Sequence, residues 1–520
     1  MPLNPAFNSL QVISALSHLS AAHLVISAET NLPYKPPKEN ITLLKEIAGD
    51  LSSLRLQSEA VPSLLNVILV DNSDGRINIS PFKATTAFTD LVSEAASEKE
   101  RALVPDEPLD KDDIINIQFT SGTTGLPKAA CLTHQSILNN GYFIGERMQL
   151  TADDIVCCPP PLFHCFGIIL GYMATATHGS AILFPSEAFN PEASLRAVQE
   201  ERATALYGVP TMFIAELELL ANGTVPYHGF DRLRTGIAAG SSVPSNLMDK
   251  LHKILNLTGL TICYGMTETS PVSVMTTLDD PIEKRVNTVG RLMPHTEAKV
   301  VAADDPSRVL PVGQRGELVV SGYLVMKGYW EDDARTAEVR SVERVVGDDG
   351  QVTEKAWMRT GDEAEMDELG YVRITGRIKD LIIRGGENIH PLEIENVLLK
   401  LDTVSDVSVV GLPDERHGEC VAAFVVPHKD SRLGVDDSGV GDAEVDAKAA
   451  SGSKSKEEGN SRTLTKEDVR QWVRAHLSNH LVPKYVFWVE EYPKTASGKI
   501  QKFTLKETGI RLLKEAEGRS

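Results

Sequence analysis

The chain has no CxxC pair, no stripe of basic residues and no unbroken apolar run of membrane-spanning length. Each absence removes a class of explanation. The six cysteines, Cys131, Cys157, Cys158, Cys165, Cys263 and Cys420, lie mostly among apolar neighbours. They read as buried, reduced thiols, not as a disulfide framework. The adjacent pair Cys157–Cys158 is no metal signature either. The net charge is -20. An acidic chain repels phosphate backbones, which argues against a nucleic-acid partner. Any phosphate ligand must therefore be held locally, by backbone N–H groups and a few placed cations. The longest apolar stretch, Cys165 to Phe184, is broken by His178 and Gly179 and ends in the strand-like "SAILF". It reads as a buried helix followed by a strand, and no membrane span is expected. The opening "MPLNPAFNSLQVIS" lacks the charged start and apolar block of a secretory signal, and the closing "EGRS" is not the peroxisomal Ser-Lys-Leu. The expectation is a cytoplasmic protein, with a peroxisomal address left open.

What is present points to a large α/β protein. A chain of 520 residues, 42% of them hydrophobic, exceeds the usual size of one compact domain. Short apolar strands ("HLVISA", "LLNVILV", "INIQFT", "DIVCCP", "SAILF", "ALYGVP") alternate with helical patterns ("QSILNNGYFIGERM", "SNLMDKLHKIL"). That alternation predicts α/β layers with mostly parallel sheets. After about residue 290 the texture changes to short, glycine-flanked strands such as "GELVVSG" and "GYVRITGR", a small β-rich subdomain. "GRIKDLIIRGGENIHPLEIENVLLKL" opens a new unit, with Pro391 starting a helix that continues through Leu401. The expected division is 1–378 and 379–520, joined near Arg377–Asp380, the second unit being a smaller α+β domain. Lys429 to Arg462, rich in Gly, Ser, Asp and Lys, is expected to be a disordered insert. Thr465 and Asp468 then form a capping-box pattern for a further helix.

The densest signal is "NIQFTSGTTGLPKAACLTH", Asn116 to His134. A strand feeding a Gly/Ser/Thr loop and then a helix is a phosphate-binding arrangement. Glycines let the backbone approach an anion, and N–H groups and hydroxyls donate to its oxygens. Thr120, Ser121, Gly122, Thr123, Thr124 and Gly125 supply these groups, and Lys128 adds a mobile cation. This is not the P-loop of common nucleotidases, which needs GxxxxGK followed by Ser or Thr. "CYGMTETSP" sets Tyr264, Gly265, Thr267 and Glu268 together. Alone it reads equally as a loop with a solvated glutamate.

With these stretches in hand, the sequence resembles the adenylate-forming acyl-CoA synthetases and ligases. "TSGTTGLPK", "PPLFHCFG", "YGMTETSP", "GELVVSG", "WMRTGD", "GRIKDLIIRGGENIHP" and "PKTASGKIQK" occur in the family's order. The resemblance runs from about Asn4 to the last helix, outside the Lys429–Arg462 insert. "PPPLFHCFG", "AAGSSVP" and "GRLMPHTEAKV" look most like the medium-chain acyl-CoA ligase branch. The family has a substantial leading segment before "NPAFNSLQVISALSHL", so several early elements are expected to be missing here.

The resemblance implies ATP, Mg2+ and coenzyme A as the small molecules handled, along with a short- to medium-chain carboxylic acid. It implies that Tyr264 stacks on adenine, that Thr267 contacts the α-phosphate and that Glu268 holds Mg2+. It also implies that the loop with Gly240 and Ser241 borders adenine. Asp362 is implied as the ribose ligand, with Arg377 beside it near the ribose and phosphate. Lys499 is implied as the catalytic lysine that bridges acyl carboxylate and α-phosphate. Lys494, Lys502 and Lys506 are expected to be solvated charges. His164 is either a hydrogen-bonded core histidine or, by resemblance, a residue at the mouth of the acyl pocket. The C-terminal domain is implied to be mobile, turning about Lys379 and bringing Gly385, Gly386 and Glu387 to a CoA tunnel. Adenylation followed by thioester formation is the expected chemistry. Two readings stay beside it: an acyl-AMP ligase loading a carrier protein in secondary metabolism, and an inactive shortened homologue. An amino-acid substrate is disfavoured, because "LFHCFG" offers no carboxylate for an ammonium group.

Overall fold

The computed structural model describes residues 1–33, 35–97, 105, 107–120, 128–240, 243, 245–346, 350–428, 431–434, 463–494 and 500–517. Among them the central element is a seven-stranded sheet. Its order is Arg291–Leu292, Val272–Met275, Gly259–Gly265, Thr235–Ala238, Ala205–Gly208, Ile155–Cys157 and Ala181–Leu183. The last five of these run parallel; the first two are antiparallel additions at one edge.

Parallel strands covered on both faces must be apolar on both faces. Accordingly every residue of Ala205–Gly208 and Thr235–Ala238 is buried. Leu206 and Ala238 face a core with Leu195, Phe213, Leu251 and Leu260. Tyr207 and Ile237 face the opposite core with Met148, Phe166 and Leu170. The connecting helices carry local start signals. Thr133 caps His134–Met148 through a reciprocal pair with Ser136, and Asn190 caps Pro191–Glu200 by accepting from two N–H groups.

A three-stranded parallel sheet (His23–Ser27, Asn66–Val70, Thr86–Ala87) forms an earlier layer. Helices Ser9–His18 and Ile41–Ala48 bury Leu16, Leu44 and Ile47 in its core. The β-rich subdomain is a five-stranded antiparallel sheet from Thr296–Val301 to Val372–Arg377. The fold is thus α/β, with a large N-terminal region built mainly on parallel sheets and a smaller α+β C-terminal unit. In that unit Glu387–Ile389, Ile382–Arg384, Gly418–Pro427, Val404–Asp414 and Tyr485–Trp488 pair into one sheet. A single 3-10 turn, Ile378–Asp380, separates Val372–Arg377 from Ile382–Arg384. The helix beginning at Pro391 ends at Leu398, one turn before Leu401. The capping box of Thr465 and Asp468 is formed.

Two expectations need correction. The glycine-rich loop does not lead into a helix. It joins Ile114–Thr120 to a second strand, Lys128–Thr133, and the helix starts only at His134. "KAACLT" is a strand because its small side chains fill a closed layer between Ile114–Thr120 and Gly328–Tyr329. Lys502 and Lys506 are not simply solvated charges, because each is ion-paired, Lys506 while still exposed. Lys502 Nζ lies 2.7 Å from Glu395 Oε1, and Lys506 Nζ lies 2.6 Å from Glu419 Oε1.

All six cysteines are buried and unpaired with one another. The Cys165–Phe184 stretch is helical from Phe166 to His178, beginning with a π-helix over Phe166–Met173, and then forms the strand Ala181–Leu183. No helix among the described residues is long and apolar enough to cross a membrane. Of the proposed insert, 429–430 and 435–462 lie outside the described residues.

Candidate active site

In open α/β sheets, ligands bind beyond the carboxyl ends of the parallel strands. Four motif segments leave the central sheet there. His164 follows Ile155–Cys157, Gly240 follows Thr235–Ala238, Tyr264 and Gly265 end Gly259–Gly265, and Thr267–Thr269 is the 3-10 turn after it. Gly265 is required sterically, since a Cβ there would overlap the carbonyl oxygen of Pro271. Gly240 has a φ of +94°, the left-handed region that favours glycine.

The central sheet meets the antiparallel subdomain through a shared core, in which Val274 packs with Leu318 and Val320, and through a short contact at the site. Tyr264 donates its hydroxyl to Asp362 Oδ2 at 2.6 Å. Burial first, and the adjacent Asp362 carboxylate second, push the Tyr264 phenol well above its ordinary range, so it stays a donor. Arg377 Nε reaches Asp362 Oδ1 at 3.4 Å, across a register in which the two residues are direct partners. The "RTGD" loop is itself held from below. Buried Glu317 accepts from Arg359 at 2.6 Å and from the Gly361 N–H at 3.1 Å, and Thr360 Oγ1 donates to Leu318 O at 2.7 Å.

On the other side of Tyr264, buried Glu268 accepts from the Tyr329 hydroxyl at 2.7 Å. Lys128 Nζ stands 5.0 Å from the centre of the Tyr329 ring. Thr120 pairs with Lys128 across the neck of the glycine-rich hairpin. Lys379 is lowered from its usual lysine range by burial, then by the nearby Arg377; Asp380 and Asp362 oppose the shift, and Lys128 adds a smaller lowering effect. Arg377 and Lys128 thus stand close enough to act on Lys379, and a corner holding three cations suits a polyanionic ligand.

His164 Nδ1 accepts the Phe166 N–H at 3.1 Å, which leaves Nε2 as the protonated nitrogen of the neutral ring. Cys165 Sγ lies 3.8 Å from both His164 Nδ1 and Thr267 Oγ1, linking the histidine to the Thr267 turn. The structure thus brings together His164, Tyr264, Gly265, Thr267, Glu268, Lys128, Asp362, Arg377 and Lys379. Gly385 and Gly386, with φ of +61° and +89°, form the two-residue turn of the hairpin Ile382–Arg384/Glu387–Ile389. The Gly385 N–H donates to His417 O at 2.8 Å, and Glu387 lies 3.6 Å from His480. These are contacts within the C-terminal unit, not with the cluster.

Ser121, Gly122, Thr123, Thr124, Gly125, Ser241 and Lys499 lie outside the described residues. The base of the Lys499 segment is described: Lys494 bridges Ile500, and the Gln501 N–H donates to Pro493 O at 2.8 Å. Tyr329 was not foreseen, because its two-residue strand gives no periodic signal and its partner is distant in sequence.

A fold with Tyr, Thr and Glu at one strand end, facing an Asp–Arg pair, defines a class, and comparison agrees. Residues 1–330 match the family of AMP-binding enzymes, and residues 393–499 match the AMP-binding enzyme C-terminal domain. The chain belongs to the AMP-binding enzyme family. It is 45% identical over 411 residues to the acyl-CoA ligase sidI of Aspergillus fumigatus, covering 78% of this chain and 62% of that one. The chain therefore spans less than two thirds of that relative's length. It is 36% identical over 514 residues to the mitochondrial medium-chain acyl-CoA ligase ACSF2 of Mus musculus, covering 97% of this chain and 74% of that one. Among solved structures, ATP-bound MatB from Rhodopseudomonas palustris superposes with a TM-score of 0.73 at 25% identity, over 99% of this chain and 84% of that one.

Proposed function

We propose that the protein activates a short- to medium-chain carboxylic acid with ATP and passes the acyl group to coenzyme A. The reading rests most on one observation: the Tyr264–Asp362–Arg377 chain stands beside Glu268 and the cations Lys128 and Lys379. An aromatic face, a carboxylate acceptor for ribose hydroxyls and a cationic corner are the complements of adenine, ribose and triphosphate. The relatives named as acyl-CoA ligases support the same reading.

In the first step a carboxylate oxygen attacks the α-phosphorus and the bond to diphosphate breaks. Two anions must approach, so the protein's task is chiefly electrostatic and positional. Lys128 and Thr267 meet the phosphate oxygens, and Lys499 bridges the attacking carboxylate and the α-phosphate. In the second step the thiol sulfur attacks the acyl carbonyl, AMP leaves, and the thiol proton passes to solvent.

The donor set fits Mg2+, because Glu268 offers hard oxygens from one buried carboxylate. Among the described residues no group of three or more His, Cys, Asp or Glu side chains is poised for a metal, so phosphate oxygens and water would complete the shell. When bound there, Mg2+ would neutralise charge on the departing diphosphate. The 1–378 and 379–520 units would turn about Lys379 between steps, a reading supported by the lone 3-10 turn Ile378–Asp380.

The test is ATP–diphosphate exchange over a panel of acids, followed by mass detection of the product with coenzyme A or a pantetheinyl carrier protein as acceptor. Exchange and an acyl-CoA product are expected; folded protein that supports neither refutes the proposal. Lys499→Ala should abolish exchange while sparing thioester formation from a supplied acyl-adenylate. Equal loss of both half-reactions would remove Lys499 from its role.

A further inference from the structure

Glu268 is held at two points by one short segment of chain. The Met326 N–H donates to the Glu268 carbonyl at 2.9 Å, and the Tyr329 hydroxyl donates to its carboxylate Oε1 at 2.7 Å. The same segment is bonded to the strand that leaves the glycine-rich loop. Gly328 pairs with Cys131 and Tyr329 with Ala130, the Lys327 N–H donates to Cys131 O at 3.0 Å, and the Trp330 N–H donates to Ala129 O at 2.8 Å. Tyr329 is fixed at its other end by its own N–H, which donates to Thr336 Oγ1 at 2.9 Å. Its ring lies beneath Lys128. Tyr329 therefore touches the carboxylate of one motif with its hydroxyl and the lysine of the other with its π-face.

We propose that Tyr329 is the positioning residue of the metal–nucleotide site, aiming the Glu268 carboxylate and holding Lys128 at a fixed distance from it. The proposal deepens the ATP-activating function above and rests on it. A buried carboxylate with a single rigid donor keeps one oxygen occupied and presents the other in a fixed direction. Without that donor the side chain loses its aim. A cation over an aromatic face is attracted by the ring without an ion pair being formed, so the ring places Lys128 without tying it to a competing anion. The arrangement also makes the glycine-rich hairpin and the Thr267–Thr269 turn one mechanical unit, although they come from separate stretches of sequence.

The test uses the full chain and reads binding, separately from turnover. ATP at fixed concentration is titrated with Mg2+, and the stabilisation of the protein against thermal unfolding is followed. Tyr329→Phe keeps the ring, the strand pairing and the cation–π contact and removes only the hydroxyl. The expected result is a modestly lowered unfolding temperature without ligand, since buried Glu268 loses its donor, and a half-maximal Mg2+ concentration raised about tenfold, the loss typical of one hydrogen bond to a charged group. The KM for the acid should be unchanged. Glu268→Gln alone should weaken the Mg2+ dependence, and adding Tyr329→Phe to it should produce no further shift, since the tyrosine acts through the glutamate. A Mg2+ midpoint equal to the parent's in Tyr329→Phe, or additive losses in the double variant, would overturn the positioning role alone. A parent protein that ATP and Mg2+ together fail to stabilise would overturn the proposed activity as well.

Discussion

Glu216 offers the sharpest physical test of the fold. It sits on Pro210–Ala221, in the helix that follows the Ala205–Gly208 strand, on the same buried face as Pro210, Phe213 and Leu217. It is fully buried, and neither carboxyl oxygen has a hydrogen-bond partner among the described residues. Burial pushes its pKa well above the ordinary carboxylate range, so the folded protein holds it as a neutral acid. The unfolded chain ionises it near pH about 4.3. Between that value and the raised folded value, the native state binds one more proton than the unfolded state. The stability this group contributes is therefore fully present below the unfolded pKa and is lost as pH climbs toward the folded one. The slope is about 1.4 kcal/mol per pH unit wherever the folded state holds that proton and the unfolded chain does not, a window that opens above pH of about 5. Glu216→Met keeps an unbranched side chain of similar reach and removes the titration. Urea unfolding of parent and variant across that range should give curves that diverge steadily, with the variant the more stable at neutral pH. Parallel curves, or a variant less stable throughout, would refute the neutral buried acid.

Other substitutions probe the site and its supports. Tyr264→Phe removes the donor to Asp362 and keeps the ring, so the KM for ATP should rise about tenfold in exchange assays with little change in acid KM. Gly265→Ala forces a methyl group into the Pro271 carbonyl and should cost about 1–3 kcal/mol, measured by denaturant unfolding. Lys502→Met leaves the mostly buried Glu395 carboxylate without its cation and should destabilise the C-terminal unit by about 3–5 kcal/mol. Adding Glu395→Leu should recover most of that loss, and failure to do so would show that the ion pair is not the cause.

What could be read in the sequence was what is local. Strand alternation in "ALYGVP" and the caps at Thr133 and Thr465 depend on neighbours a few residues away, and all are formed. The motifs were legible through resemblance; Tyr264, Asp362 and Arg377 are in contact, and Glu268 lies on the turn that follows Tyr264. The failures are non-local. Lys128–Thr133 looked like the approach to a helix because its third strand, Gly328–Tyr329, arrives from far along the chain. Lys502 looked solvated because its partner Glu395 lies 107 residues away. Tyr329 was invisible because its role depends on Glu268, 61 residues distant, and on a two-residue strand without periodicity.

The Tyr264–Asp362 contact is a seam. One end belongs to the seven-stranded sheet and the other to the antiparallel subdomain, 98 residues further along the chain. Backbone bonds between Val289–Gly290 and Val372 and a shared apolar core join the same layers, but this O–H group is the link that lies at the site itself. A fluorinated tyrosine introduced at position 264 would report slip there directly through its fluorine resonance. A shift between the two layers at the site would become readable at that atom before any nucleotide is added.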